Sequence, residues 1–261
     1  MNAAGIVTKP ARALVLASGL IAATSSVAFA QDVTVALGTM AGVPVTNAYL
    51  NPPFGHVVLG THQFDLSSGN MIQVQPGQTA SISGSYPNTS QVYVLLNSYN
   101  SYGAYKIGQI VMTFSDGTTL ATDLVTGGNI REWRPGDGTS GTINTATDTH
   151  LVNVWTGQAQ PAAGGGTAII DMLTINLPAG QYKTLTNITM SVTSLNNPYA
   201  TGMIVPGITI NDGVKHCIRP GKSCHTSAED QSKAWKWQPE LPGATNTNPH
   251  QPSDENARGN D

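Results

Sequence analysis

Charge is scarce in this sequence. Asp, Glu, Lys and Arg together make up 10% of it, with 12 basic residues against 15 acidic ones. Binding to nucleic acid needs clustered Lys and Arg to neutralise phosphates, so a sparse and mildly acidic chain argues against that class. Long apolar runs are missing beyond the first thirty residues, and nothing there approaches the roughly 20 residues of a membrane-crossing helix. Helical periodicity is almost absent as well. So are the catalytic signatures. Residues 138–141 read Gly-Thr-Ser-Gly and lack the G-x-S-x-G pattern of a nucleophile elbow. There is no H-E-x-x-H and no phosphate-cradling glycine loop. Many Asp and Glu pairs, Asp123 with Glu132 among them, could be named as a glycosidase couple, and none stands out. The six histidines, His56, His62, His150, His216, His225 and His250, are scattered. These absences favour a non-enzyme.

What is present begins with an export signal. Lys9 and Arg12 form a basic region, residues 13–23 an apolar one, and Ala28-Phe29-Ala30 a small-x-small cleavage site. Cleavage after Ala30 leaves a chain starting at Gln31, with ten basic residues against fifteen acidic ones and a net charge of −5. The expected address is the periplasm or the medium, with no transmembrane segment in the mature chain. In that setting Cys217 and Cys224 are expected to form a disulfide around a Pro220-Gly221 turn. A metal site using the flanking His216 and His225 is the lesser alternative.

Residues 31–211 read as one all-β domain. Short apolar alternations recur between Gly, Pro, Asn and Asp, and predict strands over residues 33–37, 56–59, 62–66, 71–74, 79–83, 92–97, 107–115, 118–125, 151–155, 168–177, 187–195 and 203–210. Asp116-Gly117 between two such runs predicts a two-residue hairpin with both residues left-handed. Residues 38–55, 135–149 and 158–166 are rich in Pro or Gly and are expected to be loops. In the strand over 168–177, Ile169, Asp171, Leu173, Ile175 and Leu177 share one face. Asp171 there points to an edge position, a hydrogen-bonded carboxyl or another register; a paired buried carboxylate is the least common of these outcomes. Residues 212–261 form a tail of different composition, with Trp235 and Trp237 in a span able to form a helical turn and a Pro/Asn/Asp-rich end expected to be disordered after 243.

The stretch over residues 92–133 carries the clearest pattern. It holds Val-Tyr-Val-Leu-Leu-Asn-Ser at 92–98, the strand–turn–strand around Asp116-Gly117, and Gly-Asn-Ile-Arg-Glu-Trp at 128–133. With Phe64-Asp65-Leu66 and the late strands, it resembles the galactose-binding-domain-like and carbohydrate-binding-module-like jelly rolls of bacterial secreted proteins. The resemblance implies a two-sheet antiparallel β-sandwich in jelly-roll order. It also implies sugar binding at loops on one end and often a structural calcium, although no contiguous D-x-D-x-D-G calcium loop is present.

Read on its own residues, the 129–133 corner offers Asn129 and Arg131 as hydrogen-bonding groups for sugar hydroxyls and Trp133 as a stacking plane, with Trp155 as another. Large aromatics fill structure more often than they bind ligands, and for these residues the weightier reading is that Ile130 and Trp133 plug the end of the sandwich while Arg131 pairs with Glu132 or another acid. The loop after the 92–97 strand places Tyr99, Tyr102 and Tyr105 at intervals of three among Ser, Asn and Gly, the composition of an adaptable recognition surface. The leading expectation is a secreted, non-catalytic protein that binds carbohydrate or a cell-envelope glycan through Asn129, Arg131, Trp133, Tyr99, Tyr102 and Trp155. A structural extracellular matrix protein and an undetected polysaccharide-active hydrolase are the alternatives.

Overall fold

The computed structural model describes residues 31–136, 142–179, 181–193 and 199–213. The signal segment, the Cys217–Cys224 pair and the tail from residue 214 lie outside them. Fourteen strands run in chain order: β1 Asp32–Thr34, β2 Val43–Pro44, β3 Tyr49–Leu50, β4 His56–Leu59, β5 His62–Asp65, β6 Asn70–Val74 and β7 Thr79–Thr89. They continue with β8 Gln91–Tyr99, β9 Lys106–Phe114, β10 Thr119–Val125, β11 Leu151–Ala159, β12 Thr167–Asn176, β13 Lys183–Val192 and β14 Gly202–Asn211. The helical segments are single 3₁₀ turns at Gly38–Met40, Val45–Asn47 and Pro161–Ala163. No helix among the described residues is long and apolar enough to cross a membrane.

The fold is an all-β sandwich of antiparallel sheets. The larger sheet has the order β2-β6-β14-β8-β12-β11-β3, with β1 added alongside β14. The smaller sheet has the order β10-β9-β13-β7, and β4-β5 forms a separate hairpin. Between the two sheets lies the main core. Val92, Val94 and Leu96 of β8, Leu173 and Ile175 of β12, and Ile208 and Ile210 of β14 meet Ile110 and Met112 of β9 and Ile188 and Met190 of β13.

The other face of the larger sheet is covered too. Tyr93 and Leu95 of β8, Ile170 and Met172 of β12 and Ile204 of β14 pack against Val45, Tyr49, Leu59, Phe64 and Leu66. The molecule therefore has a third layer, built from the hairpin and from a stretch whose prolines suggested only loop. This explains why the 92–96 run is continuously apolar rather than alternating: a strand buried on both faces has no polar side to show. Each fully buried Leu or Phe there contributes about 1.5–3 kcal/mol, more than the coil-favouring chemistry of the neighbouring turns opposes.

Two local features follow from backbone chemistry. The β9–β10 turn has only Gly117 left-handed, at φ +80°. Gly117 N donates to Phe114 O and Phe114 N to Thr118 O, both at 2.9 Å, which makes a type I turn closed by a left-handed glycine instead of the paired left-handed turn expected. With Asp116 right-handed, its carboxylate accepts from Thr118 N and Oγ1 and meets Lys183 Nζ at 2.9 Å. Pro206 stands inside the central strand β14, which a proline's missing N–H would ordinarily forbid. The β8–β14 register slips there, between Ile204 and Gly207, so the proline falls in a bulge.

The strands also set the two poles. Asp32 pairs with Asn211, and Asn211 with Gln91, at one end. Gly202 pairs with Tyr99 at the other, where the loops after β8 and β10 gather. Truncation at the centre of the outer core should be costly: Leu95→Ala is expected to lower unfolding free energy by about 2–5 kcal/mol in urea denaturation, and Val111→Ala on the outer face of the small sheet by under about 1 kcal/mol.

Candidate functional site

Strands β8 and β12 pair from Gln91 and Asn176 up to Leu96 and Asp171, then separate. The gap is filled by the 131–133 corner. Ser98 N donates to Arg131 O and Trp133 N to Ser98 O, both at 2.9 Å, while Ile169 N donates to Trp133 O at 2.8 Å. A three-residue segment thus bonds to both diverging strands and restores the ladder that would otherwise leave their polar groups unpaired.

At the point of divergence sits Asp171, with no exposed surface. Arg131 reaches it with Nε at 2.7 Å and Nη2 at 2.8 Å, a two-pronged ion pair. Asn97 Nδ2 and Asn153 Nδ2 donate to the same carboxylate at 3.0 and 3.1 Å, and Asn97 Oδ1 accepts Asp171 N. Arg131 Nη1 donates to Asn144 O at 3.1 Å. The hydrogen bonds to Asp171 hold the guanidinium pKa above its ordinary value despite partial burial. The paired buried carboxylate, the outcome ranked least common on sequence grounds, is the one found. Beside it Glu132, 4% exposed, accepts Ser101 N at 3.0 Å. Asn129 closes the preceding turn, its Oδ1 accepting Val125 N at 2.9 Å and its Nδ2 donating to Asp123 O at 2.8 Å. Ile130 is fully buried in the main core. The side-chain polar groups of Asn129 and Arg131, expected to meet a ligand, are therefore engaged in building the corner.

The aromatic candidates fall into two groups. Trp133 and Trp155, both partly buried, meet across a residue that sequence reading missed. Tyr49 of β3 takes Trp133 edge-on at 5.4 Å and 75°, and Trp155 edge-on at 5.6 Å and 82°. Trp155 lies over the backbone of Gly157, where a Cβ would come within 2.2 Å of the indole. Arg134 Cζ stands 5.8 Å from the Trp133 ring centre, and its guanidinium donates to Ala163 O. The Tyr49 ring is fully buried; burial first, then the carboxylates of Asp171 and Glu132, pushes its hydroxyl pKa well up.

The second group is at the loop after β8. Tyr102 and Tyr199 pack with ring centres 5.0 Å apart at 52°, and Tyr199 is 49% exposed. Tyr99 is partly buried and covers Gly202, the residue paired with it across the sheet. Thr201 ties the loops together by donating to Asn100 O at 2.5 Å and meeting Tyr105 Oη at 2.7 Å. Among the described residues no group of three or more His, Cys, Asp or Glu is placed to hold a metal ion.

Compared with models of known families the chain matches none, and no curated protein sequence matches it. The fork makes a direct prediction. Asp171→Ala strands the Arg131 charge and should cost about 3–5 kcal/mol, whereas the double variant Arg131→Met with Asp171→Leu should recover most of that loss. Urea denaturation of the three proteins decides between this and a dispensable pair.

Proposed function

We propose that this chain is an exported, non-catalytic binding module for a polysaccharide or cell-envelope glycan, related in architecture to galactose-binding-like jelly rolls. One observation carries the reading: Trp133 from the corner and Trp155 from β11 are brought together on Tyr49, and both residues are only partly buried. Indoles offer broad, sequence-tolerant stacking planes for sugar C–H faces, and the corner and β11 hold the two on one side of the sheet. The Tyr102–Tyr199 pair offers a second aromatic surface at the same pole. The buried carboxylates support a binding role over catalysis, because Asp171 and Glu132 serve as hydrogen-bond acceptors within the corner.

The matrix-protein reading rests on a different surface. Ser81, Ser83, Asn187 and Thr189 form a hydroxyl–amide network on the outer face of the smaller sheet. Self-association through that neutral face would favour it, and sedimentation of a monomer at high concentration would count against it.

The glycan reading is checked by affinity electrophoresis in gels containing xylan, mixed-linkage β-glucan or glycol chitin. The native protein is expected to be retarded by at least one. Trp133→Ala and Trp155→Ala should each weaken that interaction about tenfold or more. Asp116→Ala, at the opposite pole, should be retarded by the polysaccharide as much as the native chain, each measured against its own mobility in a polysaccharide-free gel. Retardation that survives both tryptophan changes would remove this site.

A further inference from the structure

Tyr49 is pinned at its backbone and loose at its tip. Its main chain pairs with Ala159 of β11, and Gln160 Nε2 donates to its carbonyl at 3.3 Å. Its ring is gripped by two indoles. Yet Tyr49 Oη is one of two buried side-chain polar atoms, with Asn144 Oδ1, that have no hydrogen-bond partner among the described residues. Both residues border the Arg131–Asp171 pair. Asn144 is bound to Arg131 through its carbonyl, and Tyr49 lies in the field of Asp171 and Glu132. Phenylalanine would fill the same aromatic position without a polar atom to satisfy. A buried hydroxyl without a partner costs the fold free energy, so its presence calls for a role outside the packing.

We propose that Tyr49 Oη is the specificity contact of the aromatic site, hydrogen-bonding a hydroxyl of a neutral sugar residue that enters between Trp133 and Trp155. This rests on the glycan-binding reading and adds to it the polar contact and the charge class of the ligand. A neutral hydroxyl suits the position because it both donates and accepts, as the phenol does. The charges around it are already engaged, Asp171 by Arg131 and Arg134 by the Trp133 face and Ala163 O, so a charged ligand would meet no open counter-charge there. The phenol itself stays protonated at any physiological pH, since burial opposes its ionisation. Trp155 is the wall that yields. It rests over Gly157, on a strand whose outer edge is paired only at Gln158 and Ala159. Its displacement therefore disturbs few backbone bonds.

Tyr49→Phe tests this in the same xylan, β-glucan and glycol chitin gels, alongside thermal unfolding. The expected result is an unfolding midpoint equal to or above that of the native protein, together with roughly tenfold weaker retardation. Carboxymethyl cellulose should retard the native protein less than the best neutral polymer. Two results overturn the proposal while leaving glycan binding intact: unchanged retardation of Tyr49→Phe, or a clear loss of stability, which would show the hydroxyl to be satisfied within the fold. Tighter binding to the carboxymethylated polymer overturns the neutral class. A native protein retarded by none of the three neutral polymers brings down the glycan reading and this contact with it.

Discussion

The ion pair between Arg131 and Asp171 closes the larger sheet where its two central strands part. Two charges withdrawn from water gain little net free energy from their attraction alone, and a well-packed apolar pair of the same volume often does as well. What the pair supplies is position. Its two-pronged geometry and the flanking amides of Asn97 and Asn153 fix the corner in one orientation. That orientation places Trp133 on the outer side of the sheet and Ile130 on the inner side. Without it, the two strands would diverge around an unpaired segment.

The same arrangement shows what the sequence could and could not reveal. Every one of the twelve strands read from apolar alternation has a counterpart, because period-two patterning and Gly/Pro/Asn punctuation report directly on a sheet surface. Strand β7 runs on to Thr89 through Pro87, since an edge strand tolerates a residue with no N–H to donate. The third layer was not legible. Residues 38–55 carry three prolines and three glycines that signal turns, but Tyr49 and Val45 are buried there by tertiary packing that no local period encodes.

The corner was half legible. Its importance stands out in the Asn-Ile-Arg-Glu-Trp run, and the run itself suggests that Ile130 plugs the sandwich and Arg131 pairs with an acid, but not which acid. Whether an Arg meets solvent or a buried acid depends on a partner 40 residues away, and Asp171 was visible only as an oddity on an apolar face. The grouping of Trp133 with Trp155 was equally hidden. A bulge in β11 between Asn153 and Trp155 sets which face the second indole takes, and bulges leave little trace in composition. A recurring motif links these aromatics. Tyr86 at Gly84, Trp155 at Gly157 and Tyr99 at Gly202 each place a ring in the space a side chain on the glycine would take, which covers a weak spot in a strand.

The pairing of β1 with the far end of β14 has a mechanical consequence. The first and last described strands, β1 and β14, lie side by side where Asp32 pairs with Asn211, while the indole cluster and the tyrosine loops occupy the opposite tip. Any tether on either flank therefore pulls from behind. A body held that way presents its aromatic tip outward, like a lamp on a bracket.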